Sequence, residues 1–138
     1  MELRQYHAED MIVLLPPSGD RATFAQMCEQ SKFAYSVFDA DKCIGCAGIM
    51  RVAGKIYYMW AVVGEDLRRN RLWLHRSVRR YLPLWLANTD WVRVEALVEA
   101  DNRRACRWIE SLGFSLESCK RRGGDDGKDA FIYAMVKD

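Results

Sequence analysis

Alternating and continuous apolar runs predict consecutive strands in the first half of the chain. Phe33–Phe38 and Lys42–Arg51 are joined by the polar turn Asp39-Ala-Asp41, which is typical of a hairpin. Ala53-Gly54 then leads into a third strand, Ile56–Val63. Ahead of this meander the pattern predicts a short strand and two helices, which are Leu3–Tyr6, Ala8–Leu15 ended by Pro16-Pro17, and Arg21–Ser31.

The segment after the meander has the period of an amphipathic helix, from Leu67 to about Trp85. At roughly 100° per residue its apolar residues fall on one side and its arginines on the other. The apolar side holds Leu67, Leu74, Val78, Tyr81 and Trp85, and the polar side holds Arg68, Arg69, Arg76, Arg79 and Arg80. Pro83 is expected to kink or end this helix.

The last third of the chain is predicted to form a strand, a helix and two further strands. Their ranges are Trp91–Val98, Asn102–Leu112, Phe114–Lys120 and Ala130–Val136. A meander followed by strand–helix–strand crossovers predicts an α/β (α+β) fold, in which a mixed, mostly antiparallel sheet has helices on both faces. The length of 138 residues suits one such domain, 1–138.

The charge distribution becomes informative only when it is followed along the chain. Half of the residues are hydrophobic, which excludes a disordered or fibrous protein, and the formal net charge is only +2. Residues 67–122 nevertheless carry a net charge of +7, and twelve of their thirteen basic residues are Arg. Such a surface can bind nucleic-acid phosphates. Because the charge of the whole chain is small and a charged run is usually a solvated helix face, we do not expect a nucleic-acid partner.

The five cysteines are predicted to be buried free thiols. Their odd number, and the lack of an apolar leader or membrane-length run in this sequence, favour a cytoplasmic protein with no membrane partner. Cys43 and Cys46 have the CxxC spacing, but residues three apart in a regular strand point to opposite faces. No second pair completes a zinc set, so no metal site is expected.

One segment carries a resemblance to a known family. Val98-Glu-Ala-Asp-Asn102-Arg-Arg-Ala105-Cys-Arg-Trp108-Ile109-Glu-Ser-Leu-Gly113-Phe114 resembles the last conserved block of the GCN5-related N-acetyltransferase (GNAT) superfamily, in which an Asn and an Ala open a helix that ends in Gly-Phe. The order of elements is similar over essentially the whole chain. The resemblance implies transfer of an acetyl group from acetyl-CoA to an amine. It also implies that the pantetheine runs between two splayed strands and that the pyrophosphate rests at the start of the central helix.

The residues implied in cofactor binding depart from the family pattern. The family has an Arg-Gly-x-Gly-x-Gly/Ala loop, and Arg68-Arg69-Asn70-Arg71-Leu72-Trp73 stands in its place. Either the arginine side chains bind the phosphates, or Trp73 fills the space that the pyrophosphate needs. The candidate cofactor residues are Val62, Val63, Arg68, Arg69, Asn70, Arg71, Asn102 and Ala105. Asn102 is equally suited to be a helix N-cap.

Two carboxylates are candidates for the catalytic base. Attack by an amine requires a base that removes a proton, and Glu95 and Glu99 are the candidates. Ion pairs with Arg93 or Arg103 would explain the two carboxylates equally well.

The family's thiolate-protonating tyrosine has no counterpart in the sequence pattern. Ile109 stands at its position, so Tyr133, or Tyr57 and Tyr58, are the candidates to replace it in space. The two histidines, His7 and His75, have no partner at a triad or metal-ligand spacing.

A second similarity leads to an alternative function. Residues 60–115 are similar to phage proteins that keep the acetyltransferase fold but lose the glycine loop, including small internal virion proteins of short-tailed phages. The similar run is Tyr81-Leu-Pro-Leu-Trp85-Leu-Ala-Asn-Thr-Asp90-Trp91-Val-Arg-Val, followed by Asn102 and Leu112-Gly113. The alternative is therefore a catalytically silent module whose partner is a virion or host protein, in place of an enzyme that acts on an amine substrate.

Overall fold

The computed structural model describes residues 1–15, 20–124 and 127–138 of the chain. Within these ranges the chain forms seven strands and five helices. In chain order they are β1 (Glu2–Gln5), α1 (Ala8–Ile12), α2 (Arg21–Cys28), β2 (Phe33–Asp39), β3 (Lys42–Ala53), β4 (Ile56–Val63), α3 (Glu65–Arg69), α4 (Arg71–Ala87), β5 (Arg93–Glu99), α5 (Arg103–Ser111), β6 (Ser115–Lys120) and β7 (Ala130–Val136). Pro16-Pro17, the predicted end of the first helix, lies outside the described residues.

The long amphipathic segment differs from its prediction at both ends. Asn70, with φ −109° and ψ 37°, leaves the helical region and divides the segment into α3 and α4. Its side-chain amide donates to the carbonyl oxygen of Asp66 at 3.0 Å, which stabilises this break. Pro83 does not end the helix, because Leu82 and Leu86 on either side of it are buried in the core and hold α4 in place as far as Ala87.

The seven strands form one sheet in the order β1-β2-β3-β4-β5-β7-β6. Every neighbouring pair is antiparallel except β4 and β5, which are parallel. The parallel pairing is short, since it runs only from Ile56 opposite Arg93 to Tyr58 opposite Glu95. Beyond that last pair the two strands separate, and this opening positions the candidate site.

Helices cover both faces of the sheet, as predicted. α4 and α5 pack on one face, around a core that includes Ile49, Tyr57, Met59, Leu82, Leu86, Val94, Ala96, Ile109 and Tyr133. α1 and α2 pack on the other face, where Tyr6, Met11, Cys28, Cys43, Cys46, Met50 and Trp60 are buried together. Among the described residues, no helix is long and apolar enough to cross a membrane.

The expectation that Cys43 and Cys46 point to opposite faces is wrong. Val37 pairs with Gly45 and Phe38 with Cys43, so Ile44 is an extra residue in β3, and this bulge turns both thiols to the same face. Their sulfur atoms lie 3.8 Å apart, and both thiols are free and buried. Cys119 is also a free thiol, but it is exposed on β6, so the prediction of burial is wrong for this cysteine. The hydrogen bond with Cys43 and the burial raise the pKa of the Cys46 thiol.

Candidate functional site

The separation of β4 and β5 creates a cleft in the middle of the sheet. From Met59 onward β4 pairs only with β3, and after Glu95 β5 pairs only with β7. Each strand therefore presents an unpaired backbone edge to the cleft, as edge strands do. Val62 and Val63, two predicted cofactor residues, lie on the β4 edge.

The cleft ends where β4 leads through Gly64 into α3, which is followed directly by α4. Gly64 follows β4 directly, and its N–H donates to the carbonyl oxygen of Ile44 at 2.9 Å. A Cβ at Gly64 would lie 2.8 Å from that oxygen, so only glycine allows this close approach of the two strands' backbones. The junction is therefore fixed by backbone contacts.

The first turn of α4 presents backbone donors without acceptors. Leu74 is the first residue of the helix whose N–H is bonded, to the carbonyl oxygen of Asn70 at 3.1 Å. The N–H groups of Arg71, Leu72 and Trp73 donate to no acceptor among the described residues. Because unbonded amides at a helix start combine with the helix dipole, this end of α4 attracts anions.

Three arginines add full charges to those amides. Arg68, Arg69 and Arg71 are exposed, and within the described part of the chain none of them forms an ion pair. Arg68 and Arg69 stand in the last turn of α3, next to the break at Asn70. The predicted cofactor residues 68–71 thus form one positively charged end of the cleft.

Trp73 packs beneath α4. It contacts the cluster formed by Val37 and Ile44 of the sheet and Leu67 of α3, together with Leu74 of the same helix. The indole therefore belongs to the core on the sheet side of α4, while the Trp73 N–H remains in the first turn.

An apolar cavity of about 50 Å³ lies between α4 and the sheet, beside the cleft. Ala47 and Ala61 leave space on the strands, and Trp73 and Trp85 close it from the helix side. Trp108 of α5 also lines this cavity, and its indole N–H donates to Nδ1 of His75 on α4 at 3.2 Å. This bond connects the helices that flank the cleft.

Sequence reasoning did not assign Trp108 and His75 to the site. The sequence pattern offers His75 no partner at a triad or metal-ligand spacing, and it assigns no role to Trp108. Their contact joins positions 33 residues apart in the sequence. Only the spacing of Trp108 indicates a site role in the sequence. It lies three residues after Ala105, on the same side of the helix as the family's Asn and Ala positions.

Asn102 acts as the N-cap of α5. Its Oδ1 accepts a hydrogen bond from the Ala105 N–H at 3.1 Å, which leaves Asn102 and Ala105 at the start of the helix next to the end of β5. The N-cap alternative for Asn102 is therefore confirmed.

Glu95 and Glu99 share a face of β5 but have different surroundings. Glu95 is opposite Tyr58, at the last parallel pair before the cleft opens, and it accepts a hydrogen bond from Arg93 Nε at 2.7 Å. Arg93 also forms an ion pair with Glu117 of β6, and these two carboxylates raise the pKa of the guanidinium further. Glu99, at the end of β5, forms no ion pair or hydrogen bond through its side chain within residues 1–15, 20–124 and 127–138.

The tyrosine candidates are engaged in other interactions. Tyr133 is 1% exposed, and its hydroxyl donates to Glu110 of α5 at 2.8 Å. Burial and this hydrogen bond raise the pKa of Tyr133. Tyr57 donates to Asp90 Oδ1 at 2.9 Å, and Ile109 is buried beneath α5. In the part of the chain that the structure describes, no three His, Cys, Asp or Glu residues are grouped as metal ligands.

Comparisons with known proteins bear on the fold. No protein-family model matches the sequence, and no curated protein does. Among solved structures the chain is similar to an acetyltransferase of the GNAT family from Streptococcus pneumoniae, with a TM-score of 0.73 and 16% identity over 99% of both chains. It is also similar to Ard1 from Thermoplasma volcanium (TM-score 0.75, 17% identity, 99% of this chain and 97% of the other).

A third similar structure is the ribosomal-protein-S18-alanine N-acetyltransferase from Escherichia coli. Its TM-score is 0.75 at 21% identity, over 98% of this chain and 92% of that protein. At these identities the similarity shows the fold. The chain therefore has the GNAT fold, which confirms the fold that the sequence resemblance implied.

Proposed function

We propose that the protein transfers an acetyl group from acetyl-CoA to an amine. The observation that carries this proposal is the cleft between β4 and β5, which opens after Tyr58 and Glu95 and ends at the unbonded first turn of α4. An extended chain attached to a pyrophosphate has the shape and charge that such a cleft accommodates.

The residues present fit this cofactor although the glycines are absent. Arg69 and Arg71 are exposed, and the first-turn N–H groups donate to no acceptor among the described residues. The Trp73 indole packs under the helix, and the Trp73 backbone N–H remains in the first turn. Arg68, Arg69 and Arg71 would hold the phosphates by charge-assisted hydrogen bonds, and the β4 edge at Val62 and Val63 would hold the pantetheine amides.

Acetyl-CoA, when bound, supplies a thioester carbonyl to the reaction. An amine must lose a proton to become a nucleophile, and Glu95 stands at the vertex of the cleft, where it would accept that proton. Arg93 orients this carboxylate through its Nε hydrogen bond. Glu99 lies four residues farther along β5, or about 13 Å at the usual rise of a strand, so it would serve the entry of a cationic amine more readily than the chemical step.

The proton-donor role proposed for a tyrosine is not part of this mechanism. Tyr133 is 1% exposed, and its hydroxyl donates a hydrogen bond to Glu110. The raised pKa of this hydroxyl disfavours proton transfer at neutral pH. We therefore propose that the thiolate leaves without a protein donor on α5, where Ile109 occupies the family's tyrosine position.

Isothermal titration calorimetry with acetyl-CoA tests this proposal. The unaltered chain is expected to bind with a micromolar Kd, and the variant Arg68→Ala/Arg69→Ala/Arg71→Ala is expected to bind at least tenfold more weakly. Lys32→Ala/Lys55→Ala/Lys120→Ala removes the same charge from exposed positions outside the cleft and should retain the Kd within twofold.

A lack of heat and of thermal stabilisation at millimolar acetyl-CoA would contradict the proposal. The GNAT fold would then remain without cofactor use, and the interaction module implied by the phage similarity would become the better explanation of the chain.

A further inference from the structure

The outer surface of α4 and α5 carries a concentration of arginine that the proposed cofactor site does not use. Arg76, Arg79 and Arg80 lie on α4, and Arg103, Arg104 and Arg107 lie on α5, and all six are exposed. We call these six residues the arginine face. α4 and α5 cover the same side of the sheet, so the two groups of arginines lie on the same side of the molecule.

The charge of the arginine face is not compensated by the protein. None of the six guanidinium groups forms an ion pair with a described residue, and only Arg80 has a ring contact, with Tyr81. α4 contains no acidic residue at all. The one acidic residue of α5, Glu110, accepts the hydrogen bond of Tyr133.

Four basic residues elsewhere in the described structure form ion pairs with a carboxylate close in space: Arg4, Lys42, Arg93 and Lys128. The arginine face has no such pair among the described residues. Six like charges on one side repel one another, and a bound polyanion would relieve that repulsion.

The type and the spacing of the charges favour phosphate groups. All basic residues of α4 and α5 are Arg, whereas the six lysines of the chain lie in other segments. The guanidinium fork suits bidentate hydrogen bonding to phosphate better than an ammonium does. Arg76 and Arg80 are four residues apart, or about 6 Å along the helix axis, which is close to two phosphate steps of about 3.4 Å each along one strand of a duplex.

The two rows of arginines are held in a fixed relation. The hydrogen bond from Trp108 to His75 connects α5 with α4 between the rows, and buried Leu82, Leu86 and Ile109 anchor both helices to the sheet. A rigid surface loses little conformational freedom when it binds a polymer.

We infer that the arginine face binds the sugar–phosphate backbone of a nucleic acid. The net charge of +2 is the sum over both faces of the sheet, whereas a nucleic-acid strand contacts only one face. The small net charge therefore does not exclude such a partner. Most backbone contacts carry no sequence information, so the binding is expected to show little sequence preference. This site is separate from the first turn of α4 and does not depend on acetyl transfer.

Fluorescence anisotropy with a labelled 20-nucleotide single-stranded RNA of mixed sequence tests the inference, with a duplex of the same length as a second probe. Binding is expected at 50 mM salt and should weaken roughly 50-fold at 200 mM salt, which is the loss for about four phosphate contacts on a single strand. The variant Arg76→Ala/Arg79→Ala/Arg104→Ala should lose at least tenfold in affinity, and its salt dependence should become shallower.

The triple variant Lys32→Ala/Lys55→Ala/Lys120→Ala is the matched control, since it lowers the net charge by the same amount from exposed positions outside the arginine face. It should bind RNA within twofold of the unaltered chain, and circular dichroism should show that both variants are folded. Equal losses in the two variants would overturn the inference, because they would show a response to net charge alone. Binding that does not change between the two salt concentrations would overturn it as well.

Competition experiments separate the nucleic acid from other polyanions. If polyglutamate displaces the RNA at the same charge concentration, or if anionic phosphatidylserine vesicles bind as tightly, the surface recognises an acidic protein or a membrane and the inference fails.

Acetyl-CoA titration of the arginine variant tests whether the two sites are distinct. Unchanged cofactor affinity with lost RNA binding is expected, and the reverse pattern would contradict the assignment of the arginines.

Discussion

Glu95 and Glu99 show how the surroundings give two identical side chains different roles. They lie on one face of β5, but Arg93 holds Glu95 at the vertex of the cleft, whereas Glu99 remains without a partner among the described residues. Tyr133 illustrates the same principle, because its burial against α5 and its bond to Glu110 fit it for packing. The function of a titratable residue here follows from its partners.

Glu95→Gln tests the proposed base. Removal of a general base costs roughly 10²–10⁴-fold in rate, so kcat for acetyl transfer should fall by at least a hundredfold while the Kd for acetyl-CoA stays within threefold. Glu99→Gln is the matched control on the same strand and should retain kcat within threefold. Equal losses in the two variants, measured by release of free thiol, would remove the distinction between them.

The bond between Trp108 and His75 predicts a measurable coupling. Trp108→Phe keeps an aromatic ring but removes the N–H donor. It should lower the free energy of unfolding by about 1 kcal/mol. A double-mutant cycle with His75→Ala, followed by urea denaturation, should give a coupling of similar size. Additive effects of the two substitutions would show that the bond does not form in solution.

The pair formed by Tyr57 and Asp90 predicts a pH dependence of stability. The hydrogen bond from Tyr57 lowers the pKa of Asp90 in the folded state, so its contribution is present above the unfolded pKa of about 3.9 and is lost as the pH falls through the lower folded pKa. Asp90→Asn should therefore show a smaller loss of unfolding free energy between pH 6 and pH 2.5. Asp39→Asn, at an exposed position outside this bond, is the control, and equal acid sensitivity of both variants would contradict the assignment.

At the scale of elements, two local irregularities shape the site. The extra residue Ile44 in β3 turns Cys43 and Cys46 to one face and presents its carbonyl oxygen to Gly64. Asn70 then interrupts the helical segment, so that a second helix start, with its free amides, stands at the end of the cleft. A regular strand and an unbroken helix over the same residues would place neither feature there.

Gly64→Ala tests the contact between these elements. The added Cβ would lie 2.8 Å from the Ile44 oxygen, and the backbone must shift to relieve this overlap. We expect a loss of about 1–3 kcal/mol in the free energy of unfolding, measured in urea, together with weaker acetyl-CoA binding. Ser115→Ala, on an exposed strand, should change neither quantity, and a fully stable Gly64→Ala would show that the close approach is not required.

At the scale of the whole molecule, the sheet separates two kinds of surface. The helices on one face hold the arginines of α3, α4 and α5, and the helices on the other enclose the buried cysteines near Tyr6 and Trp60. The parallel pair β4 and β5 in an otherwise antiparallel sheet opens the cleft near the centre of the molecule. Both proposed binding sites lie on α3, α4 and α5, which explains why the positive charge is concentrated in the middle of the sequence.

Acetyl-CoA should stabilise the whole domain, because a ligand bound in the cleft would contact both halves of the sheet. At a ligand concentration of 100 times Kd, the free energy of unfolding should rise by about 2.7 kcal/mol. Denaturation followed by intrinsic fluorescence measures this change. S-acetylpantetheine, which lacks the nucleotide and the pyrophosphate, gives the comparison: it should stabilise much less than acetyl-CoA, and equal stabilisation by both would contradict phosphate binding at α4.

The sequence by itself determined the strands, most of the helices, the mixed sheet and the GNAT resemblance, because apolar periodicity and the block from Asn102 to Gly113 are local signals. It also located residues 68–71 as the charged segment at the start of the central helix. The tertiary structure alone decided that Cys43 and Cys46 share a face, that Trp73 packs beneath α4, that Trp108 bonds to His75, and that Glu95 is bound by Arg93 at the vertex of the cleft. Each of these depends on a bulge, a break or a contact between distant segments, and the energies that fix them come from packing across the sheet, which periodicity along one segment does not encode.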